Sequence, residues 1–132
     1  MKAVILAGGK GTRLSEVARD LPKSLVPVAG KALIDYQLEW LAREGIAEVV
    51  LLTGYRSEQI EQHCGDGSRW SLRLRYLTER EPLETAGALK AAEAFLSEAF
   101  VVVYGDVMVD MDLRAMQRFH HQCREASATL MV

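Results

Sequence analysis

Two hydrophobic patterns alternate along this chain. Short apolar runs of β type at 3–6, 49–52, 72–77, 100–104 and 128–132 are rich in Val, Ile and Leu and predict strands. Between them, Ile34, Leu38 and Leu41 recur at helical spacing within 33–44, as do Leu89, Ala92 and Leu96 within 86–98. Ser57 is placed to cap a short helix through Gln62, and Asp112 to cap another whose face carries Leu113, Met116, His120 and Cys123. Strands that read as continuous apolar runs are buried on both faces, which is the pattern of a parallel sheet. The predicted fold class is therefore α/β: a three-layer sandwich with a mostly parallel sheet between helices.

Length narrows this to one domain, since 132 residues leave little room for a second. Apolar residues at 49% and charged residues at 26% are ordinary for a globular chain and exclude a disordered or collagen-like one. A net charge of −2 supplies no positive field for nucleic acid or an anionic membrane, so any polyanion must meet a local site. The apolar start, residues 1–7, runs directly into Gly8-Gly9; it is too short to span a membrane and lacks a cleavage pattern, so a cytoplasmic location is expected. Cys64 and Cys123 have no CxxC partner and read as buried free thiols. Residues 128–132 read as a core strand with no cap or polar tail after it. That pattern implies a truncated sheet whose edge a partner chain or second copy would pair.

The candidate chemistry begins at Ala7-Gly8-Gly9-Lys10-Gly11-Thr12-Arg13-Leu14, directly after the first strand, where open α/β sheets place their ligands. Gly8, Gly9 and Gly11 let main-chain amides approach a ligand without a Cβ in the way, and successive N–H groups form an anion nest. Arg13 adds a planar fork for phosphate oxygens. This is not a Walker A loop: the required first glycine would fall at Val4, and Gly11 stands where Ser or Thr should follow the lysine. Nor is it a dinucleotide fingerprint, whose third glycine would fall at Leu14. Downstream, Pro22 and Pro27 hold an extended path that can return Lys23 and Lys31 to the same cleft.

Two further clusters lie at predicted strand ends. Glu79-Arg80-Glu81-Pro82-Leu83-Glu84-Thr85-Ala86-Gly87 leads into a helix that Thr85 is suited to cap. Tyr104-Gly105-Asp106 ends an apolar strand on a carboxylate, and a single Asp with phosphate oxygens and water is sufficient protein chemistry for Mg²⁺. Asp110 reads as a turn residue, while His120-His121 do not converge on one face and read as structural. Trp40 and Trp70 read as packing residues.

The segments Leu6-Ala7-Gly8-Gly9-Lys10-Gly11-Thr12-Arg13-Leu14 and Pro22-Lys23-Ser24-Leu25-Val26-Pro27-Val28-Ala29-Gly30-Lys31 together resemble the sugar nucleotidyltransferases, the pyrophosphorylases that make nucleotide sugars. The resemblance implies a Rossmann-like, glycosyltransferase-A-type fold in which 1–132 is the N-terminal nucleotide-binding portion. Leu6, Ala7, Gly8, Gly9, Gly11 and Thr12 would hold base and triphosphate, Arg13 would grip the phosphates, and Lys23 would contact them during transfer. Thr85, Ala86 and Gly87 match a family stretch that lines the nucleoside pocket, although Glu84 replaces its usual glycine. Asp106 matches the family's metal-binding aspartate and would hold Mg²⁺.

The implied activity transfers NMP from an NTP to a sugar 1-phosphate, releasing pyrophosphate. Thr53-Gly54-Tyr55, the Glu-rich cluster and the stretch from Asp106 to Leu113 look like the mannose- or heptose-1-phosphate guanylyltransferase branch, which favours GTP. The alternative is a nucleotide-binding or regulatory module without independent catalysis, because the family's acceptor segments lie further along its chains.

Overall fold

The computed structural model describes residues 1–9 and 20–132. In chain order its elements are β1 (Lys2–Ala7), the short strands β2 (Pro27–Val28) and β3 (Lys31–Ala32), α1 (Leu33–Arg43), β4 (Glu48–Thr53), α2 (Ser57–Cys64), β5 (Arg73–Thr78), α3 (Thr85–Ala91), β6 (Phe100–Tyr104) and α4 (Leu113–Gln122). β1, β4, β5 and β6 form one sheet in the order β5-β4-β1-β6, and every pairing in it is parallel. Val4 lies opposite Val50 on one side and Val102 on the other, so β1 is a central strand.

Alternation of side chains across the pleat divides the core into two layers. Ala3, Ile5, Val49 and Leu51 pack with Ile34, Leu38 and Leu41 of α1, Ile60 of α2 and Leu113 of α4. Val4, Val50 and Leu52 pack on the opposite face against Ala88 of α3 and Ala92 just beyond it. Helices thus cover both faces, and the expected three-layer α/β sandwich with a parallel sheet is the observed architecture. β6 is covered on one face only: Val103 is buried, while Phe100, Val102 and Tyr104 are 37%, 36% and 53% exposed on the other.

Local structure departs from the sequence expectations at several points. Residues 128–132 form no strand, and Leu130 and Val132 are exposed. An apolar run becomes a strand only beside a ladder that takes its backbone groups, and these residues have none, so among the described residues the sheet's edges are β5 and β6. Arg56, at φ 53°, occupies the N-cap of α2 without a side-chain bond to the helix end, so Ser57 is the first helical residue and not its cap; the helix continues to Cys64. The helix expected at 86–98 ends at Ala91, because the Ala92 N–H turns to the Ala88, Leu89 and Lys90 carbonyls and a 3₁₀ turn follows at Glu93–Phe95.

Thr85 likewise begins α3 and does not cap it; Glu84 holds the N-cap at φ −71° and ψ 166°, an ordinary extended conformation in which a glutamate carries no strain. Asp112 does cap α4, its carboxylate accepting from the Ala115 N–H at 2.8 Å. The path expected to be extended from 21 to 31 instead makes a 3₁₀ turn at Lys23–Leu25 and a two-residue hairpin, turned by Ala29 and Gly30 at φ 50° and 80°. Cys64 is buried as expected, whereas Cys123 is only half-buried. Among the described residues no helix is long and apolar enough to cross a membrane.

Candidate functional site

The chain leaves β1 towards β4 and β5, then returns to place β6 on β1's other side. Such a reversal opens a crevice at the carboxyl ends of the strands. A cavity of about 640 Å³ lies there, formed by the ends of all four strands with Lys23 and Ser24.

Close backbone contacts shape its floor. A Cβ on Gly54 would lie 3.2 Å from the Gly8 carbonyl oxygen, so the turns after β1 and β4 meet through glycine. Gly105 is tighter still: its N–H donates to the Leu6 carbonyl at 2.9 Å, and a Cβ would stand 2.7 Å from that same oxygen. Among the described residues, nothing lies within 4 Å of a Cβ built on Gly9. The wall is made by the segment after β5. The Glu79 N–H extends the ladder to the Thr53 carbonyl at 2.8 Å, and its carboxylate accepts from the Leu83 N–H at 3.3 Å, folding 79–83 over the cavity.

The site's charged pair joins distant parts of the chain. Lys23 Nζ is 3.3 Å from Asp106 Oδ2, with the two side chains 32% and 48% exposed. Beside them, α1 fastens the stretch that follows β6. Gln37 donates to the Tyr104 and Val107 carbonyls, Trp40 Nε1 to the Met111 carbonyl at 3.0 Å, and Glu44 accepts from the Leu113 N–H at 2.9 Å.

Of the residues singled out in the sequence, Leu6, Ala7, Gly8, Gly9, Lys23, Thr85 and Asp106 line this cavity. Ala86 and Gly87 do not; α3 reaches it through Thr85 and Ala88. Gly11, Thr12 and Arg13 lie outside the described residues. Glu79, Tyr104 and Gly105 line the cavity without having been singled out as ligand-binding residues. Their signal was position, because each lies at the carboxyl end of a strand.

Other candidates are engaged elsewhere. Asp110 pairs with Arg43 at 2.7 Å, and His120 Nδ1 lies 2.9 Å from Thr129 Oγ1. Trp40 is buried, and Trp70 packs partly buried against the core with the Arg69 guanidinium 4.2 Å from its ring centre.

No cluster of three or more His, Cys, Asp or Glu residues that could hold a metal occurs among the described residues. Asp106 nonetheless suits a hard cation that takes one or two carboxylates and completes its shell with phosphate oxygens and water. The ammonium of Lys23 beside its carboxylate shows that positive charge is accepted there.

Comparison with known proteins agrees with this geometry. The model of the nucleotidyl transferase family matches residues 2–132. The D-glycero-alpha-D-manno-heptose 1-phosphate guanylyltransferase of Campylobacter jejuni is 36% identical over 117 residues, covering 89% of this chain and 52% of that protein. The mannose-1-phosphate guanylyltransferase of Mycobacterium tuberculosis is 37% identical over 131 residues, covering 98% of this chain and 36% of that one. Among solved structures, HddC from Yersinia pseudotuberculosis superposes with a TM-score of 0.79 at 32% identity, covering 89% of this chain and 53% of that one. The same protein has also been solved complexed with GMP-PN. The chain spans about half the length of these first relatives, and about a third of the mannose enzyme.

Proposed function

The chain belongs to the nucleotidyl transferase family, and from that premise we propose that its cavity holds the nucleotide in a transfer of NMP from an NTP to a sugar 1-phosphate, with pyrophosphate released. The observation that carries the reading is the convergence of Gly8, Gly9, Lys23 and Asp106 at the point where the sheet reverses its winding. Bare backbone beside a lysine is phosphate-binding chemistry, and a carboxylate within reach of the same phosphates is metal-binding chemistry.

The family is generally dependent on a divalent metal. Asp106 would hold Mg²⁺, which when bound neutralises phosphate oxygens during in-line displacement. Lys23 would leave Asp106 for the reacting phosphates and stabilise the charge that develops there. Gly8 and Gly9 would position the triphosphate, and Gly11, Thr12 and Arg13 would complete the cradle on the sequence resemblance alone. Thr85 would contact the nucleoside, with Leu6 and Ala7 beneath it.

GTP is the favoured donor. Guanylyltransferases stand among the relatives, and Glu79 offers a carboxylate acceptor pair suited to the adjacent N1 and N2 donors of guanine.

The test is thermal stabilisation by GTP, CTP, UTP, dTTP and ATP with Mg²⁺, followed by pyrophosphate release on adding mannose 1-phosphate or a heptose 1-phosphate. A nucleotide at ~100 times its Kd adds about 2.7 kcal/mol. GTP is expected to give the largest shift, reduced in both Asp106→Asn and Lys23→Ala; equal failure of all five nucleotides would refute the reading. Binding without turnover would favour the nucleotide-binding module instead.

A further inference from the structure

We propose that Gln37 is a positioning residue, holding the turn that presents Asp106; the inference rests on the reading of Asp106 as the metal-holding carboxylate. Gln37 lies on the core-facing side of α1 among Ile34, Leu38 and Leu41, and is only 1% exposed. A polar side chain there must have hydrogen-bond partners to offset its burial. Its Nε2 donates to the Tyr104 carbonyl at 2.8 Å and to the Val107 carbonyl at 2.6 Å, engaging both amide hydrogens.

These carbonyls belong to the two ends of one tight turn. The Val107 N–H closes it on the Tyr104 carbonyl at 3.2 Å, and Gly105 and Asp106 are its central residues. The turn is thereby tied on both sides: Gly105 fastens it to β1 through Leu6, and Gln37 fastens it to α1. Asp106 has little freedom of backbone orientation left, so its carboxylate is presented to the cavity beside Lys23 before any ligand arrives.

Packing does not account for a glutamine here. Methionine of similar length would fill the space without the buried Oε1, which has no hydrogen-bond partner among the described residues. Two carbonyls bracketing a functional carboxylate do account for it, because only a two-hydrogen donor on a single nitrogen serves both. Residues of this kind, one step removed from the ligating atom, typically change metal affinity by about 10–100-fold when replaced.

The experiment compares Gln37→Met, Gln37→Asn and Asp106→Asn with the unmodified chain. Amide hydrogen exchange at Gly105 and Val107 reports the turn without any ligand. GTP affinity measured with and without Mn²⁺, with bound Mn²⁺ followed by electron paramagnetic resonance, reports the metal site. Both Gln37 variants are expected to speed exchange at these two amides while leaving β4 protected. They should also cut the Mn²⁺-dependent gain in GTP affinity by about tenfold without changing metal-free affinity.

Asp106→Asn should abolish that gain while keeping the turn protected. A gain that Asp106→Asn removes but both Gln37 variants retain overturns the positioning role alone, as does unchanged exchange at the turn. No gain in the unmodified chain, or one that survives Asp106→Asn, overturns the metal reading beneath it. If Gln37→Met does not fold, Gln37→Asn, which keeps an amide too short to bridge both carbonyls, decides the question.

Discussion

Replacing Gly105 by alanine tests whether the site's floor is as tight as its geometry indicates. The added Cβ would meet the Leu6 carbonyl oxygen at 2.7 Å and Ala7 Cα at 3.2 Å, both of them main-chain atoms of a central strand that no rotamer change can move. The end of β6 must therefore draw back from β1. Overpacking of this kind costs about 1–3 kcal/mol. Weakening the Gly105 N–H bond to Leu6 adds about 0.5–1.5 kcal/mol, and the stiffer unfolded chain returns about 0.4–1 kcal/mol. The net expectation is a loss of about 2 kcal/mol, within bounds of about 0.5–4, or a fall in Tm of roughly 8 °C for a domain of this size.

Urea titration followed by circular dichroism measures the loss directly, with the slope m expected to stay constant. Gly9→Ala is the internal control, since its Cβ meets nothing within 4 Å among the described residues and its stability should be unchanged to within about 0.5 kcal/mol. Equal midpoints for Gly105→Ala and the unmodified chain would refute the steric reasoning, as would an equal fall in Gly9→Ala.

Acid stability should depend on Glu48. Burial opposes its ionisation, but hydrogen bonds and charge from Lys2 and Arg75 together hold its carboxyl below the ordinary value of 4.5. A depressed carboxylate stabilises the fold above its unfolded pKa and loses that contribution as pH falls through the folded value. Glu48→Gln should therefore flatten the decline in unfolding free energy below about pH 4.5, and an unchanged pH profile would discount the cluster. The cysteines should also react unequally. Burial, reinforced by the charge of Asp35, pushes the Cys64 thiol up to about 12, while Cys123 is half-buried, so a thiol reagent at pH 8 should label Cys123 first and Cys64 only after unfolding. Equal labelling rates in the folded protein would contradict this.

The central strands β1 and β4 were legible because burial on both faces leaves a signal that needs no knowledge of neighbours: Val49 to Leu52 can be little else. Residues 128–132 carry the same signal and form no strand, since pairing depends on what lies alongside. The Ala29-Gly30 hairpin was hidden because alanine gives no hint of a positive φ. At the site, Gly8, Gly9, Lys23 and Asp106 could be read from residue type and position at strand ends. Gln37 could not, because its significance lies in two carbonyls some seventy residues away, and in the sequence it only interrupts an apolar stripe.

The pairing of β1 with β6 also bears on how the molecule folds. Val4 and Val102 are neighbours in the sheet although about a hundred residues separate them, so closing that loop is the costliest entropic step in building the sheet. The β1-β4-β5 portion can assemble from shorter loops, leaving β6 to dock late and open readily. A ligand touching both the glycine turn after β1 and Asp106 after β6 would close the same long loop from outside. Ligand occupancy would then be read out as slower opening of the β6 amides, making the binding cavity the latch on the least local pairing in the main sheet.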